Sequence, residues 1–186
     1  MTRHEINIDP DNIVVAPGCK QAVLYAMMAT LDPGDEVLLL APAWPSYDGM
    51  LKLIGAVPVH VPVKRDDYHP DFSALEAAVT PRTKAIMLNS PNNPTGAVYR
   101  PEEVEQLVAL AVKHDLWIID DMIYATLVWA DYGYTSPTRF PGGSERTLTI
   151  GGWSKGWAMT GWRLGWIGCT SEAVSYTHLR AHETTS

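Results

Sequence analysis

The sequence GGWSKGWAMTGWR occupies residues 151–163 and directly follows an apolar run, 147–150, that predicts a buried strand. Glycines before and after Lys155 leave room for a bulky group to approach the backbone and the amine. A tight, partly apolar surrounding removes water from a lysine and favours its neutral, nucleophilic form. Schiff-base chemistry needs such an amine, although a surface lysine in a Gly- and Trp-rich turn has the same composition.

Strand and helix patterns alternate along the rest of the chain. Apolar runs predict seven strands, at 13–16, 36–40, 57–61, 84–89, 116–119, 146–150 and 163–169. Helical spacing predicts helices at 20–31, 48–54, 72–79 and 102–114, whereas residues 123–129 fit either a helix or a strand. This alternation indicates an α/β domain with three layers, α/β/α, around a mainly parallel seven-stranded sheet.

Two features locate particular strands within this sheet. Pro58 cannot donate a backbone hydrogen bond, so the strand at 57–61 is expected at an edge. The last strand follows the lysine stretch too closely for a crossover helix, so it is expected to run antiparallel to its neighbours.

Composition excludes several classes of protein. The chain has 186 residues, and 14 Lys and Arg against 21 Asp and Glu give a net charge of −7, which argues against a nucleic-acid partner. Two cysteines, Cys19 and Cys169, do not indicate a disulfide framework. No leader and no apolar run long enough to cross a bilayer is evident, so a cytoplasmic protein without a membrane partner is expected.

Four separated motifs fall at the carboxyl ends of predicted strands, where open α/β sheets bind their ligands. They are 17–20 (PGCK), 93–96 (NPTG), Asp121 with Tyr124, and Ser154-Lys155 with Arg163. Together with Trp44, they resemble the pyridoxal-phosphate site of the class I/II aminotransferases, the aspartate aminotransferase-like family of fold type I. The resemblance covers residues 13–169.

The resemblance implies a role for each residue around the cofactor ring. Lys155 would hold pyridoxal 5′-phosphate through a Schiff base and then move a proton. Asp121 would pair with the protonated pyridine nitrogen. The neighbouring Asp120 is an alternative, but the family's Asp-x-x-Tyr pattern selects Asp121. Asp120 is then a candidate helix cap. Tyr124 and Asn93 would donate hydrogen bonds to the phenolic oxygen.

Further residues would hold the ring face and the phosphate. Trp44 matches the aromatic residue that stacks on the pyridine ring, although Tyr47 lies one turn away and core packing explains either residue. Gly18, Cys19 and Lys20 open a helix, whose free N–H groups and dipole favour an anion. Arg163 matches the family's phosphate-binding arginine, and Ser154 adds a hydroxyl. No metal site is predicted.

The chain also departs from the family pattern. Gly152 replaces a serine that donates to the phosphate in many relatives, and Met122 replaces an acidic residue. The resemblance implies an N-terminal arm, a C-terminal small domain, a substrate-carboxylate arginine and a partner-subunit tyrosine, all of which we expect to be missing from this chain. We therefore expect residues 1–173 to be a truncated large domain of a homodimeric parent, binding cofactor weakly and without efficient turnover. Residues 174–186 are expected to be a non-native tail.

The expected activity of the parent is amino-group transfer between an L-amino acid and a 2-oxo acid. A pyridoxal-phosphate carbon–sulfur lyase of the same fold would use the same lysine, aspartate and tyrosine. A ligand-sensing domain of a transcription regulator is a second alternative. A plain nucleotide-binding domain is disfavoured, because the turn at 17–20 lacks the Gly-x-Gly-x-x-Gly pattern.

Overall fold

The computed structural model describes Ile6 and residues 8–169. Seven strands form one sheet: β1 Ile13–Ala16, β2 Glu36–Ala41, β3 Val57–Pro62, β4 Thr83–Leu88, β5 Trp117–Asp121, β6 Thr147–Gly152 and β7 Gly165–Gly168. Four α-helices cover it: α1 Cys19–Thr30, α2 Ser46–Leu53, α3 Phe72–Ala78 and α4 Pro101–His114. No helix within this part of the chain combines the length and the hydropathy that a membrane crossing requires.

The strands lie in the order β1-β7-β6-β5-β4-β2-β3. Strand β7 runs antiparallel to both of its neighbours, β1 and β6, and the other pairings are parallel. The predicted mainly parallel sheet with an antiparallel last strand is therefore confirmed. Strand β3 ends the sheet, which confirms the edge position that Pro58 indicates, because an edge strand leaves one row of N–H groups unpaired.

Successive side chains of a strand point to opposite faces of the sheet, so those of the central strands pack in two separate cores. On one face, Val37 and Leu39 pack with α1 and α2 residues. On the other, Leu38 and Leu40 pack with residues of α3 and α4. All four side chains are buried, which explains why β2 is apolar from Val37 to Ala41 and confirms the three-layer architecture.

Local sequence sets the helix boundaries. Helix α3 begins after Asp71, whose carboxylate accepts hydrogen bonds from the N–H groups of Ser73 and Ala74. Helix α4 begins with Pro101, where no intrahelical N–H bond is lost, and ends at Asp115 in the left-handed conformation. Helix α1 begins after Gly18, which has φ 97° and places the first turn against the site described below.

Three local expectations differ from the structure. Residues 123–129 form neither a helix nor a strand: residues 123–126 form turns and residues 127–129 are irregular, and the Asp121 carboxylate accepts the Ile123 N–H where the chain leaves the sheet. The last strand begins only at Gly165, since a 3-10 turn at Thr160–Trp162 and a left-handed Arg163 precede it. The helical spacing of apolar residues at 23, 24, 27, 28 and 31 predicts one apolar face on the first helix, but Met28 is 41% exposed. Residues 174–186 lie outside the described residues.

Asp120, in β5, is completely buried on the face opposite Asp121. The Tyr134 hydroxyl donates to one of its carboxylate oxygens, and within the described part of the chain the other oxygen has no hydrogen-bond partner. Burial raises the pKa of Asp120 to about 7, an effect that the Tyr134 hydrogen bond opposes and the Asp121 charge increases. The folded chain therefore holds a proton on Asp120 over a pH range in which the unfolded chain has lost it.

This proton gives the free energy of unfolding a pH dependence. Because the folded-state pKa lies above the ordinary 3.8, the stabilising contribution is complete below about pH 4 and is lost as the pH rises to about 7. In the wild-type chain we expect the free energy of unfolding to fall by on the order of 4 kcal/mol between about pH 4 and 7, and Asp120→Asn should remove this fall. Urea denaturation from pH 4 to 8 measures both chains. Asp131→Asn, on an exposed loop, is the control. Equal pH slopes in the wild-type chain and Asp120→Asn would contradict the assignment.

Candidate active site

A cavity of about 250 Å³ lies at the carboxyl ends of β1, β2, β4, β5 and β6, where the loops that follow these strands converge. Nine of the ten predicted site residues line it: Cys19, Lys20, Trp44, Asn93, Asp121, Tyr124, Ser154, Lys155 and Arg163. The tenth, Gly18, lies directly behind the wall at the start of α1. The structure also adds Tyr47, Asn89, Ile123 and Thr160, which the motifs did not select.

One end of the cavity concentrates positive potential. The first N–H groups of α1 are free of intrahelical partners there, and the positive end of the helix dipole lies at Gly18. The Arg163 guanidinium lies against Gly18, so closely that any Cβ at this glycine would overlap it. The guanidinium Nη1 also donates to the Thr160 carbonyl at 3.1 Å, in an exposed hydrogen bond. A helix N-terminus and an arginine thus converge as an anion site requires.

Gly165 makes this convergence possible, although no motif pointed to it. A Cβ at Gly165 would lie 2.6 Å from the Cys19 nitrogen and 2.6 Å from the Gly18 carbonyl carbon. Both are backbone atoms, so no side-chain rotation could relieve the overlap. Strand β7 therefore passes directly behind the first turn of α1 because residue 165 lacks a side chain.

The same cavity also holds a buried carboxylate. Asp121 ends β5 and is 4% exposed. Its Oδ2 accepts the Tyr47 hydroxyl at 2.7 Å, and its Oδ1 accepts the Ile123 N–H at 3.2 Å and the Cys19 thiol at 3.7 Å. Burial raises the pKa of Asp121, and these three donors oppose the rise.

The two neighbouring aspartates are clearly separated by the strand. Asp121 lines the cavity, whereas Asp120 points to the other face and pairs with Tyr134. The motif's choice of Asp121 over Asp120 agrees with this geometry. Asp120 does not cap a helix, because turns rather than a helix follow β5.

Lys155 lines the cavity but is exposed in this chain, so the desolvated amine expected from its glycine-rich surroundings is not observed. Its Nζ lies 5.9 Å from the centre of the Tyr124 ring. The glycines instead accommodate the protein's own side chains: a Cβ at Gly151 would overlap the Trp166 indole, and one at Gly156 would overlap the Thr126 hydroxyl. They let the lysine loop pack closely on its neighbours.

Asn89 links the β4 loop to β5. Its side-chain amide donates to the Asp121 carbonyl at 2.8 Å, and its Oδ1 accepts the Asn93 N–H at 2.8 Å. Asn89 thereby positions Asn93 beside the cavity. Among the described residues, no hydrogen bond occupies the Asn93 side-chain amide or the Tyr124 hydroxyl, so both are available to a ligand. Asn89 could have been selected from the sequence, because a polar residue that ends an apolar strand is buried and needs a hydrogen-bond partner.

Trp44 borders the cavity and contacts two other lining residues. Its ring packs edge-on against Tyr47, with centroids 5.3 Å apart and an interplanar angle of 88°. The Lys20 Nζ lies 4.9 Å from the centre of the Trp44 ring, in a cation–π contact. Lys20 therefore brings its ammonium group as well as its backbone N–H to the cavity wall.

The whole chain, residues 1–186, matches the family model "Aminotransferase class I and II". It is 41% identical over 170 residues to a probable aspartate/prephenate aminotransferase of Thermus aquaticus, covering 91% of this chain and 43% of the relative. An aspartate aminotransferase of Thermus thermophilus solved with maleate superposes with a TM-score of 0.89 at 41% identity, covering 98% of this chain and 48% of that one. The chain belongs to the class I and II aminotransferases.

A second solved member, the N-succinyldiaminopimelate aminotransferase of Mycobacterium tuberculosis, gives a TM-score of 0.91 at 36% identity, covering 96% of this chain and 47% of that one. The present chain thus spans less than half the length of these three aminotransferases.

The structure gives physical reasons for the two departures from the aminotransferase pattern. Met122 is 8% exposed and packs with Ala125 and Tyr134 in a small apolar cluster, where an unpaired charge would be costly. Gly152 ends β6, and a Cβ there would lie 3.0 Å from the Leu164 carbonyl oxygen, so β7 approaches closely at this point.

We expect Gly165→Ala to separate β7 from the first turn of α1. Overpacking against backbone should lower the free energy of unfolding by about 1–3 kcal/mol. It should also weaken pyridoxal-phosphate binding about tenfold or more, because the helix N-terminus and Arg163 no longer converge. Gly161→Ala is the matched control, since a Cβ there meets nothing within 4 Å. Equal affinities of the two variants, followed by absorbance titration, would argue against this role for Gly165.

Proposed function

We propose that this chain forms the cofactor-binding part of an enzyme that uses pyridoxal 5′-phosphate to transfer an amino group between an L-amino acid and a 2-oxo acid. One observation carries the proposal: a single cavity joins a buried carboxylate, an arginine at a helix N-terminus and a lysine. Pyridoxal phosphate carries complementary groups, namely a basic ring nitrogen, a phosphate dianion and an aldehyde.

The residues present fit this cofactor. The site at Gly18 and Arg163 offers free N–H donors and a guanidinium, the donor set that phosphate groups prefer. Asp121 offers an anion in a buried setting, where its charge acts strongly on a nearby ring nitrogen. The cavity wall also carries Trp44, an aromatic surface suited to a planar ring.

Bound pyridoxal phosphate supplies an aldehyde that bonds amines and a ring that accepts electrons from the substrate carbon. Lys155 would hold the cofactor through its Nζ and would carry a proton on the same nitrogen. Asp121 would pair with the ring nitrogen and favour its protonated form. The Tyr124 hydroxyl and the Asn93 amide would donate to the ring's phenolic oxygen, and Ser154 would add a donor at the phosphate.

Several finer statements belong to the same proposal. Residues 1–173 constitute the large domain, and the parent protein is a cytoplasmic homodimer that acts on small amino and oxo acids. The relatives described above are named as aminotransferases, which favours transamination over the carbon–sulfur lyase and the ligand-sensing alternatives. The exposure of Lys155 supports the expectation that this chain alone binds cofactor weakly and turns over little substrate.

Covalent capture tests the proposal directly. The chain is incubated with pyridoxal phosphate and reduced with borohydride, and the modified peptide is mapped by mass spectrometry. We expect the label on Lys155, because this amine lines the same cavity as Asp121 and Arg163. The Lys155→Ala variant should lose that label, whereas Lys52→Ala, at an exposed position on α2, should retain it.

Two results would decide against the proposal. Label distributed among surface lysines, with no preference for Lys155, would show that no specific site forms. Label on Lys155 that persists when inorganic phosphate is added in excess would show that the helix N-terminus and Arg163 do not hold the phosphate group.

A further inference from the structure

The hydrogen bonds on Asp121 are unevenly divided between its two carboxylate oxygens. Oδ1 accepts the Ile123 N–H and the Cys19 thiol, whereas the hydroxyl of Tyr47, at 2.7 Å, is the donor to Oδ2. Among the described residues, no cation forms an ion pair with Asp121. The orientation of this buried carboxylate therefore depends on neutral donors, and Tyr47 makes the shortest of these contacts.

Tyr47 is itself held rigidly. It is the second residue of α2, it is 2% exposed, and its ring packs in the core shared by α1 and α2. Trp44 meets the ring edge-on, which leaves the hydroxyl directed at Asp121. Burial and the nearby Asp121 charge raise the pKa of Tyr47 well above its ordinary value, so the hydroxyl stays protonated and always donates.

We propose that Tyr47 is a positioning residue that fixes the Asp121 carboxylate, through Oδ2, in the orientation that pairs with the pyridine nitrogen of the cofactor. The inference rests on the proposed function. It assigns to Tyr47 a task beyond core packing: the residue acts on the cofactor through Asp121. Without the hydroxyl, Oδ2 loses its donor, the carboxylate is free to rotate, and burial favours its protonated form.

A cofactor-free measurement tests the first link. The Asp121 side-chain carboxyl is followed by ¹³C NMR during a pH titration, with Asp121→Asn used for assignment. Removal of a hydrogen bond to a charged group should raise the titration midpoint by about one to two pH units in Tyr47→Phe. The titratable neighbours are Asp120 on β5, Cys19 on α1 and Tyr124, with Lys155 and Arg163 lining the same cavity; all are unchanged in this variant.

Tyr99→Phe is the matched control, because Tyr99 is 1% exposed and belongs to the core on the opposite face of the sheet. It removes a buried tyrosine hydroxyl remote from the cavity and should leave the Asp121 midpoint in place. An unchanged midpoint in Tyr47→Phe would overturn the proposal.

A ligand comparison tests the second link and separates positioning from packing. Affinity is measured by absorbance titration for pyridoxal phosphate and for an analogue with C–H in place of the pyridine nitrogen. Tyr47→Phe should weaken binding of pyridoxal phosphate about tenfold but change binding of the analogue by less than about twofold, since the analogue cannot pair with Asp121. Equal losses for both ligands would leave Tyr47 a packing residue and overturn the proposal.

The borohydride label on Lys155 keeps this test distinct from that of the proposed function. One outcome would reject the positioning role alone: Lys155 is labelled in both the wild-type chain and Tyr47→Phe, but Tyr47→Phe weakens binding of pyridoxal phosphate and of the analogue equally. A wild-type chain that does not label at Lys155 would reject the function and the positioning role together.

Discussion

The buried carboxylate of Asp121 is the point at which the separate parts of this chain meet. Its side chain accepts hydrogen bonds from α1 through Cys19, from α2 through Tyr47 and from the turn after β5 through Ile123. Its carbonyl accepts a further bond from Asn89, which holds the β4 loop. A carboxylate removed from water requires such donors, so the loops around it must take up these positions together.

Glycines bring the other half of the site into place. Gly18 lets the Arg163 guanidinium lie against the first turn of α1, and Gly165 lets β7 pass behind that turn. The positive end of the cavity is thus built on backbone contacts between the first and the last strands of the sheet, β1 and β7, which are paired neighbours. The antiparallel β7 brings Arg163 to the edge where the parallel strands end, and this direction follows from the short connection to β6.

The sequence was sufficient for the sheet and for the residues whose chemistry is visible in a motif. The apolar runs located all seven strands, and Pro58 and the short 153–164 connection gave the edge strand and the antiparallel strand. Tyr47 and Asn89 were missed as site residues because each looks like a core residue in the chain, and only three-dimensional packing shows which group its polar atom meets. The exposure of Lys155 was also missed, because burial depends on neighbours that are distant in sequence.

The most direct test of this account is a crystal structure of the chain with pyridoxal phosphate bound. We expect the phosphate to lie on the N–H groups at the start of α1 beside Arg163, the pyridine nitrogen to lie within hydrogen-bond distance of Asp121, and the Lys155 nitrogen to be bonded to the aldehyde carbon. A phosphate bound elsewhere, or a ring whose nitrogen points away from Asp121, would contradict it.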